Sequence, residues 1–347
     1  MKLTVVGCGD AFGSGGRLQT CYHVEAAVQT GATRFLIDCG ATALIGLNRL
    51  QIDPNSIETI FISHLHGDHF AGLVWWLIHA QHVAKRTQPL TVVGPAGIEA
   101  RFVAAAEALF PDSSRVSRRF DLAFREFARE TPMDIAGVRV TPFEVRHPSG
   151  APPYALRFEV GDKVLAFSGD SEWVDSLVDA GRSADLFIME CYQFDGVPRF
   201  HMSWQGISAQ LDRIGARRVL LTHMAAGMLA RRGEVRDARC VLADDGLVAW
   251  FQGRSEFGPR ALGHRSLLAH PGAAANTERL NDVKGREQFR PVAPMVLAER
   301  AAELFEGGPL PSPHMLFTHR VRAGWAERIP AAVHVDGTAR VQTVDRA

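Results

Sequence analysis

Three histidines and one aspartate lie within six positions of each other in the run Ser63-His64-Leu65-His66-Gly67-Asp68-His69. Neutral imidazole and carboxylate suit zinc, and manganese or iron also accept them, whereas calcium and magnesium require more oxygen ligands. A polar loop with Asp68 as the cap of a following helix is the structural alternative. The density of histidines favours a metal site over that alternative.

The elements around this run determine which way its side chains point. Residues 59–62 are apolar and predict a short buried strand, and residues 70–83 predict an apolar helix. His64 and His66 are two residues apart on extended backbone, so both side chains point to the same side. The aspartate and the last histidine of the run begin the helical turn and point elsewhere. One loop can therefore offer ligands to two metal ions.

Three more candidate ligands follow predicted strands later in the chain. His147 follows the strand predicted at residues 138–145, Asp170 follows the one at 163–167, and His223 follows the one at 218–221. A single histidine at a strand end is usually a polar cap, but three such ends in succession indicate a shared site. We expect two metal ions, one bound by His64, His66 and His147, the other by Asp68, His69 and His223, with Asp170 bridging them.

Residues 1 to about 250 resemble the metallo-β-lactamase superfamily of metal-dependent hydrolases in these motifs. The ribonuclease Z-like branch is the most similar, because residues 185–190 end in Glu190 and are followed by His201-Met202-Ser203. The resemblance implies an α/β fold, an αββα sandwich of two facing sheets between outer helices, with the metals at the sheet edge. It also implies that Asp38 supports the histidine loop. A helix start before Trp204 is the structural alternative for His201.

The resemblance further implies a mechanism. Two divalent metal ions, zinc first and manganese or iron as alternatives, lower the pKa of a shared water, so that a bridging hydroxide attacks beside Asp68. Glu190 and His201 would form a proton-handling pair on the leaving-group side. This pair favours a phosphodiesterase, because in-line displacement requires the attacking and leaving oxygens to be handled on opposite sides. An acyl, thioester or lactone hydrolase of the same fold is the alternative.

Composition agrees with this class of hydrolase without choosing a member of it. The chain has 347 residues, 46% of them hydrophobic, and a formal net charge of zero, so no global charge attracts it to a polyanion or an acidic membrane. Its five cysteines are scattered, as in a cytoplasmic protein with reduced thiols. No long insertion separates Asp170 from His223, so the arm that binds transfer RNA in ribonuclease Z is not expected. A small-molecule or nucleotide phosphodiester is favoured over RNA, and no membrane partner is expected.

The chain changes character near Gly246 and becomes rich in arginine, proline and glycine. Residues 246–266, 281–294 and 334–342 resemble the carboxy-terminal domain of the carbamoyltransferases that make carbamoylated antibiotics and nodulation signals. In that family the domain is similar to threonylcarbamoyl-adenylate synthase and binds ATP and carbamoyl phosphate. The resemblance implies phosphate-binding roles for four basic residues, with a solvated basic surface as the alternative: Arg260, Lys284, Arg290 and Arg340. We expect two domains, 1–250 and 251–347.

Two departures from the carbamoyltransferase family weaken the transfer of its activity. The Asn-Thr-Ser-Phe-Asn segment that completes that family's nucleotide pocket does not occur before Ala347, and a hydrolase replaces the carbamoyl-transfer domain. We therefore expect a smaller, partial α/β module without carbamoyl transfer, and pairing of two chains in a homodimer stays open. A nucleotide-binding protein related to carbamoyltransferases, with an accessory hydrolase fold, is the third functional class.

Overall fold

The computed structural model describes residues 1–28, 31–237, 239–243, 248–251, 256, 258–272 and 274–345. These residues belong to two compact units, Met1–Gly246 and Leu247–Ala347. Among the described residues, no helix combines the length and apolar character needed to cross a bilayer.

The first unit is built from short strands and helices. Its strands are β1 (Lys2–Gly7), β2 (Cys21–Val28), β3 (Gly31–Ile37), β4 (Thr59–Phe61), β5 (Leu90–Gly94), β6 (Leu122–Glu126), β7 (Met133–Ile135), β8 (Val138–Glu144), β9 (Tyr154–Val160), β10 (Lys163–Phe167), β11 (Leu186–Glu190), β12 (Val219–Thr222) and β13 (Cys240–Leu242). Its α-helices are α1 (Ala43–Arg49), α2 (Gly67–Phe70), α3 (Gly72–His82), α4 (Ile98–Leu109), α5 (Ser176–Gly181), α6 (Trp204–Ser208), α7 (Leu211–Ile214) and α8 (Ala226–Ala230). It also has 3-10 turns at Ser14–Gly16, Pro54–Ser56, Ser113–Arg115 and Arg232–Glu234.

Two mixed sheets of similar design make up the first unit. One has the strand order β1-β2-β3-β4-β5-β6, antiparallel from β1 to β3 and parallel from β3 to β6. The other has the order β13-β12-β11-β10-β9-β8-β7, antiparallel from β7 to β10 and parallel from β10 to β13. The parallel halves bring the residues that follow their strands together, because the carboxyl ends of parallel strands share one edge of a sheet.

Alternating side chains explain why the two sheets face each other. Phe35 and Phe61 of the first sheet contact Phe158 of the second, with ring centroids 5.3 and 5.2 Å apart. Leu36 and Ile60, which point to the opposite face, pack in a buried cluster with residues of α1, α3 and α4. A second cluster lies between the other sheet and α5 to α8. The expected αββα sandwich is confirmed.

The helix predicted at residues 70–83 is two helices, α2 and α3, and the first begins at Gly67. The break lies where Gly72 packs against the loop after β3. A Cβ atom on Gly72 would lie 2.1 Å from the Gly40 carbonyl oxygen, and one on Gly40 would lie 2.2 Å from the Asp68 carbonyl oxygen. Only glycine permits this approach, which holds the loop of Asp38 against the histidine run.

The second unit has small sheets and two α-helices among its described residues. Its elements are β14 (Val248–Phe251), β15 (Arg265–Leu268), α9 (Ala275–Val283), β16 (Met295–Leu297), α10 (Ala301–Leu304), β17 (Phe305–Glu306), β18 (His319–Val321), β19 (Thr338–Ala339), β20 (Gln342–Val344) and 3-10 turns at Ala298–Arg300 and Pro330–Ala332. β14 pairs with β15, β16 with β20, and β17, β18 and β19 form one sheet. Phe305, Ile329, Ala339 and Val341 form its small buried cluster.

Candidate metal centre

The histidine run connects the end of β4 to the start of α2. His66 has extended backbone at the N-terminal boundary of α2 (φ −81°, ψ 153°), and Asp68 and His69 lie within that helix. His64, Asp68 and His69 are buried and His66 is half-buried. The local sequence explains this geometry, because Gly67 starts the helix immediately after the extended His66. His64 and His66 belong to one group of converging donor atoms, and Asp68 and His69 belong to another.

Asp38 holds this loop in place. Its carboxylate accepts hydrogen bonds from the backbone N–H of Ser63 (2.7 Å), from the Ser63 hydroxyl (2.8 Å) and from Nδ1 of His69 (2.6 Å). Asp38 itself has a left-handed backbone with φ 57°, which turns its side chain back toward the loop. Because Nδ1 of His69 is used in this way, Nε2 is left to face the other clustered residues.

The three predicted strand ends meet at the same place. His147 follows β8, Asp170 follows β10 and His223 follows β12, and all three are buried. The backbone N–H of His223 donates to the carbonyl of Cys8 (3.0 Å), which joins the end of β12 to the loop after β1. His147 donates from Nδ1 to the carbonyl of Phe200 (2.8 Å). A backbone carbonyl thus orients the imidazole of His147, and a backbone hydrogen bond fixes the position of His223.

Asp170 lies between two groups of side chains. Its Oδ2 atom is 3.3 Å from Nε2 of His69 and 3.3 Å from Nε2 of His223. The same oxygen is 3.9 Å from Nε2 of His64 and 4.0 Å from Nε2 of His147. One carboxylate therefore faces both histidine groups.

The groups themselves correspond to the predicted division. His64, His66 and His147 form one set of converging donor atoms, and Asp68, His69, Asp170 and His223 form the other. Nε2 of His147 lies 2.9 Å from Nδ1 of His66, and Nε2 of His223 lies 3.2 Å from Oδ2 of Asp68. These buried His/Asp clusters fit a dinuclear metal site.

Unpaired atoms support this fit. Among the described residues, Nε2 of His64, Nε2 of His69 and Oδ1 of Asp170 are buried without a hydrogen-bond partner. A buried polar atom without a partner is costly, and native proteins rarely leave several in one place. Divalent cations would satisfy these three atoms at once, and the donor set of imidazole nitrogens and carboxylate oxygens suits zinc, manganese or iron.

Charges in the cluster are strongly coupled. Burial disfavours charge on Asp170, but the neighbouring His223 and His69 outweigh burial and hold the pKa of this carboxyl well below its usual range. Burial also opposes protonation of His69, yet the carboxylates of Asp170 and Asp68 raise its pKa well above the ordinary value. For His64, burial and the charge of His69 both lower the pKa. The carboxylates therefore already stabilise positive charge where metal ions would lie.

Glu190 and His201 lie beside these clusters. Glu190 ends β11, and its Oε1 atom accepts from the backbone N–H of Ser171 (2.9 Å) and from Nδ1 of His201 (3.1 Å). Burial opposes protonation of His201, but the hydrogen bond to Glu190 raises its pKa above the ordinary value. The cap of α6 is Ser203, whose hydroxyl accepts from the N–H of Gly206. His201 is therefore not the helix cap, and its imidazole points to the clusters.

Three neighbours of the site were not identified from the sequence. The ring of Tyr192 stacks on His201 with centroids 4.6 Å apart. Glu172 and Phe200 contact each other and the His147 region. No spacing or motif marks these residues, because their contacts come from three separate loops. For Glu172 alone, its position two residues after Asp170 could have indicated that it lies near the site.

The four basic residues predicted to bind phosphate lie in the second unit with different exposure. Arg260 and Arg340 are half-buried, and among the described residues their Nε atoms have no hydrogen-bond partner. Burial and the charge of Arg260 lower the pKa of Arg340, so these two guanidinium groups are near each other. Lys284 is exposed at the C-terminal end of α9, and Arg290 is exposed and pairs with Glu287 (2.9 Å).

Solved structures of known proteins are similar to this chain in fold. The metallo-β-lactamase fold protein YhfI from Bacillus subtilis is 22% identical, with a TM-score of 0.56 over 71% of this chain and 98% of that one. The short form of human tRNase Z is 24% identical, with a TM-score of 0.56 over 72% of this chain and 98% of that one. These likenesses establish the fold.

The family follows from a match to most of the chain. The sequence model described as anti-Pycsar protein Apyc1 matches residues 1–246. The chain belongs to the Apyc1 family. Beyond this Apyc1 region, a second model, described as the carbamoyltransferase C-terminus, matches residues 240–347. The two expected resemblances, to the metallo-β-lactamase fold and to the carbamoyltransferase C-terminal domain, are confirmed.

Curated relatives of this Apyc1-family chain are carbamoyltransferases and nodulation proteins. Nodulation protein U of Sinorhizobium fredii (strain NBRC 101917 / NGR234) is 37% identical over 179 residues, which are 51% of this chain and 30% of that protein. The 3'-hydroxymethylcephem-O-carbamoyltransferase of Amycolatopsis lactamdurans is 50% identical over 103 residues, 30% of this chain and 19% of that protein. The chain thus spans less than a third of either relative.

Proposed function

We propose that the first unit is a dinuclear metal-dependent phosphodiesterase whose substrate is a cyclic nucleotide. The observation that carries the proposal is the convergence of two His/Asp clusters on one oxygen of Asp170, with His201 and Glu190 beside them. Membership of the Apyc1 family favours a cyclic nucleotide over other phosphodiesters.

The ligand assignment follows the two clusters. His64, His66 and His147 would hold one ion, and Asp68, His69 and His223 the other, with Asp170 shared. Bound there, two divalent ions, zinc first, would acidify a water molecule and withdraw negative charge from the phosphoryl oxygens. The burial of these side chains favours the reaction, because electrostatic interactions are stronger when bulk water is excluded.

The protein's own residues would manage the protons on opposite sides of the substrate. The pKa of Asp68 is lowered, because His69 and a hydrogen bond from His223 outweigh its burial, so its carboxylate stays charged and can orient the attacking water. Glu190 accepts from Nδ1 of His201, which leaves Nε2–H of the protonated imidazole free to donate to the departing alkoxide. A cyclic phosphodiester has an unactivated alkoxide as its leaving group, so it needs this proton.

A substrate panel tests the proposal. Zinc-loaded protein is assayed with 3′,5′-cyclic nucleotides of the four bases, bis-p-nitrophenyl phosphate, a thioester and a lactone. We expect hydrolysis of bis-p-nitrophenyl phosphate and of at least one cyclic nucleotide, with no comparable rate on the acyl substrates. Faster hydrolysis of the thioester or lactone, with no cleavage of any phosphodiester, would contradict the proposal and identify an acyl hydrolase of the same fold.

A further inference from the structure

The backbone of Phe200 is in an unfavourable conformation immediately before His201. Its φ is 67°, in the left-handed region that glycine adopts freely and that is costly for a residue with a Cβ atom. Such a conformation persists only where neighbouring contacts enforce it. The contacts that enforce it at Phe200 are therefore informative.

Both backbone polar groups of Phe200 are engaged. Its N–H donates to Oε1 of Glu172 (2.9 Å), and its carbonyl accepts from Nδ1 of His147 (2.8 Å). The carboxylate of Glu172 is thus connected to an imidazole of the first cluster through a single residue. The same residue precedes His201 in the chain, so its backbone also determines where that side chain starts.

Glu172 is itself held in place by two contacts with Arg146. Its backbone N–H donates to the carbonyl of Arg146 (3.1 Å), and its Oε2 atom lies 3.6 Å from a guanidinium nitrogen of the same arginine. This bridge joins the chain after β8 to the chain after β10, the two strands that precede His147 and Asp170. The side chain of Glu172 is 26% exposed and belongs to neither His/Asp cluster.

We propose that Glu172 is a positioning residue of the metal centre. Its carboxylate holds Phe200 in the left-handed conformation, and Phe200 in turn fixes the ring of His147 with Nε2 toward the first cluster and places His201 over the site. This inference rests on the proposed function for the roles of His147 as a ligand and His201 as a proton donor. A simple surface ion pair with Arg146 would contribute little to stability and would leave the zinc affinity unchanged.

Zinc affinity, measured by competition with a chromophoric chelator, tests the proposal in the full-length chain. Glu172→Ala is expected to weaken the affinity of the weaker site about 10- to 100-fold, as is typical when the partner that orients a ligating histidine is lost. Glu172→Gln should stay within about threefold of the wild type, because its amide oxygen still accepts from Phe200. The matched control is Glu25→Gln. Glu25 lies in β2, is 31% exposed, and pairs with Lys2 and Arg34 of the neighbouring strands. The control should bind zinc as the wild type does.

A second variant separates positioning from general destabilisation. Adding Phe200→Gly to Glu172→Ala should restore most of the lost zinc affinity, because glycine adopts a positive φ without the Cβ penalty. Wild-type affinity in Glu172→Ala, or a loss that follows the melting temperature and is not restored by glycine, would overturn the inference. Zinc binding needs no substrate, so a protein that hydrolyses no phosphodiester but shows these affinities would refute the proposed function alone.

Discussion

At the scale of single residues, Asp170 is the group on which both histidine clusters depend. Its Oδ2 atom faces four imidazole nitrogens at 3.3 to 4.0 Å, and its Oδ1 atom has no hydrogen-bond partner among the described residues. Among the described residues, Asp170 is the carboxylate that groups with histidines of both clusters. Its removal should therefore affect both ions, whereas removal of one histidine should affect one.

We expect Asp170→Ala to lower the metal content from about two ions per chain to one or fewer and to abolish hydrolysis, because the shared ligand is lost. Elemental analysis after dialysis measures the metal, and a phosphodiester assay measures the activity. Asp175→Ala is the control, since Asp175 is 79% exposed and pairs with Arg213 at the surface. Full metal content or full activity in Asp170→Ala would contradict the assignment.

A different outcome is expected for His201→Ala. This variant should keep its metal but lose roughly 10²–10⁴ in turnover on a cyclic nucleotide, as expected when a general acid is removed. Bis-p-nitrophenyl phosphate has a good leaving group that needs little protonation, so its hydrolysis should fall much less. Equal losses on both substrates, or no loss on either, would show that His201 has a structural role.

Candidate site residues could be picked out of the sequence where they follow fixed offsets. Seven candidate ligands come either from one short run or directly after a strand, and the structure brings them together, although their roles as ligands stay predictions. Glu172 and Phe200 could not be predicted, because their importance comes from a backbone conformation and from contacts between distant loops. The stacking of Tyr192 on His201 was missed for the same reason.

At the scale of elements, strand ends were easier to predict than helix boundaries. Alternating and apolar runs marked β8, β10 and β12, and each of these strands is present. The break between α2 and α3 was missed, because it depends on the contact of Gly72 with Gly40, which lies 32 residues earlier. Likewise, no sequence pattern indicated that Arg86 is buried. Its guanidinium group donates hydrogen bonds to the carbonyls of Asn55, Ile57 and Pro89.

One strand contains a buried titratable group that links folding to pH. His23 in β2 is 2% exposed, and among the described residues neither of its ring nitrogens has a hydrogen-bond partner. Burial lowers its pKa from 6.5 to about 4. Between these values the unfolded chain binds the proton and the folded chain does not, so this group destabilises the fold as the pH falls from about 6.5 to 4.

We expect this histidine alone to lower the free energy of unfolding by roughly 2 kcal/mol between pH 7 and pH 4.5. His23→Val removes the titrating group, and valine suits a buried strand position. Urea unfolding of both proteins at the two pH values gives the comparison, which cancels the contribution of other groups. An equal loss of stability in wild type and variant would mean that His23 is not buried in its neutral form.

At the scale of the whole molecule, the chain joins an Apyc1-family unit to a carbamoyltransferase-like unit. We propose that these are separate functional domains, 1–250 and 251–347, because every candidate ligand lies in the first. The change in composition near Gly246 is the sequence feature that predicts this division. The function of the second unit was not predictable. Basic residues at the positions expected from the carbamoyltransferase resemblance supply charge, but they do not show that polar groups are present to orient a ligand.

Binding of ATP tests that second unit. Arg260 and Arg340 are near each other and have unpaired Nε atoms, but Lys284 and Arg290 are exposed. We expect calorimetric titration of the full-length chain with ATP to show weak binding, above about 100 μM, since charge alone does not offset the entropy lost by a bound nucleotide. We also expect no transfer of a carbamoyl group from carbamoyl phosphate. Micromolar affinity that disappears in Lys284→Ala would instead establish a working nucleotide site.

The most direct test of the proposed dinuclear phosphodiesterase activity is a zinc titration of metal-stripped protein with hydrolysis of a cyclic nucleotide as the readout. Two clusters that share one carboxylate predict that activity is near zero without metal and reaches its maximum at about two equivalents of zinc per chain. A plateau at one equivalent would contradict a dinuclear mechanism. Full hydrolysis by metal-free protein, or none at any zinc concentration, would contradict the metal-dependent phosphodiesterase itself.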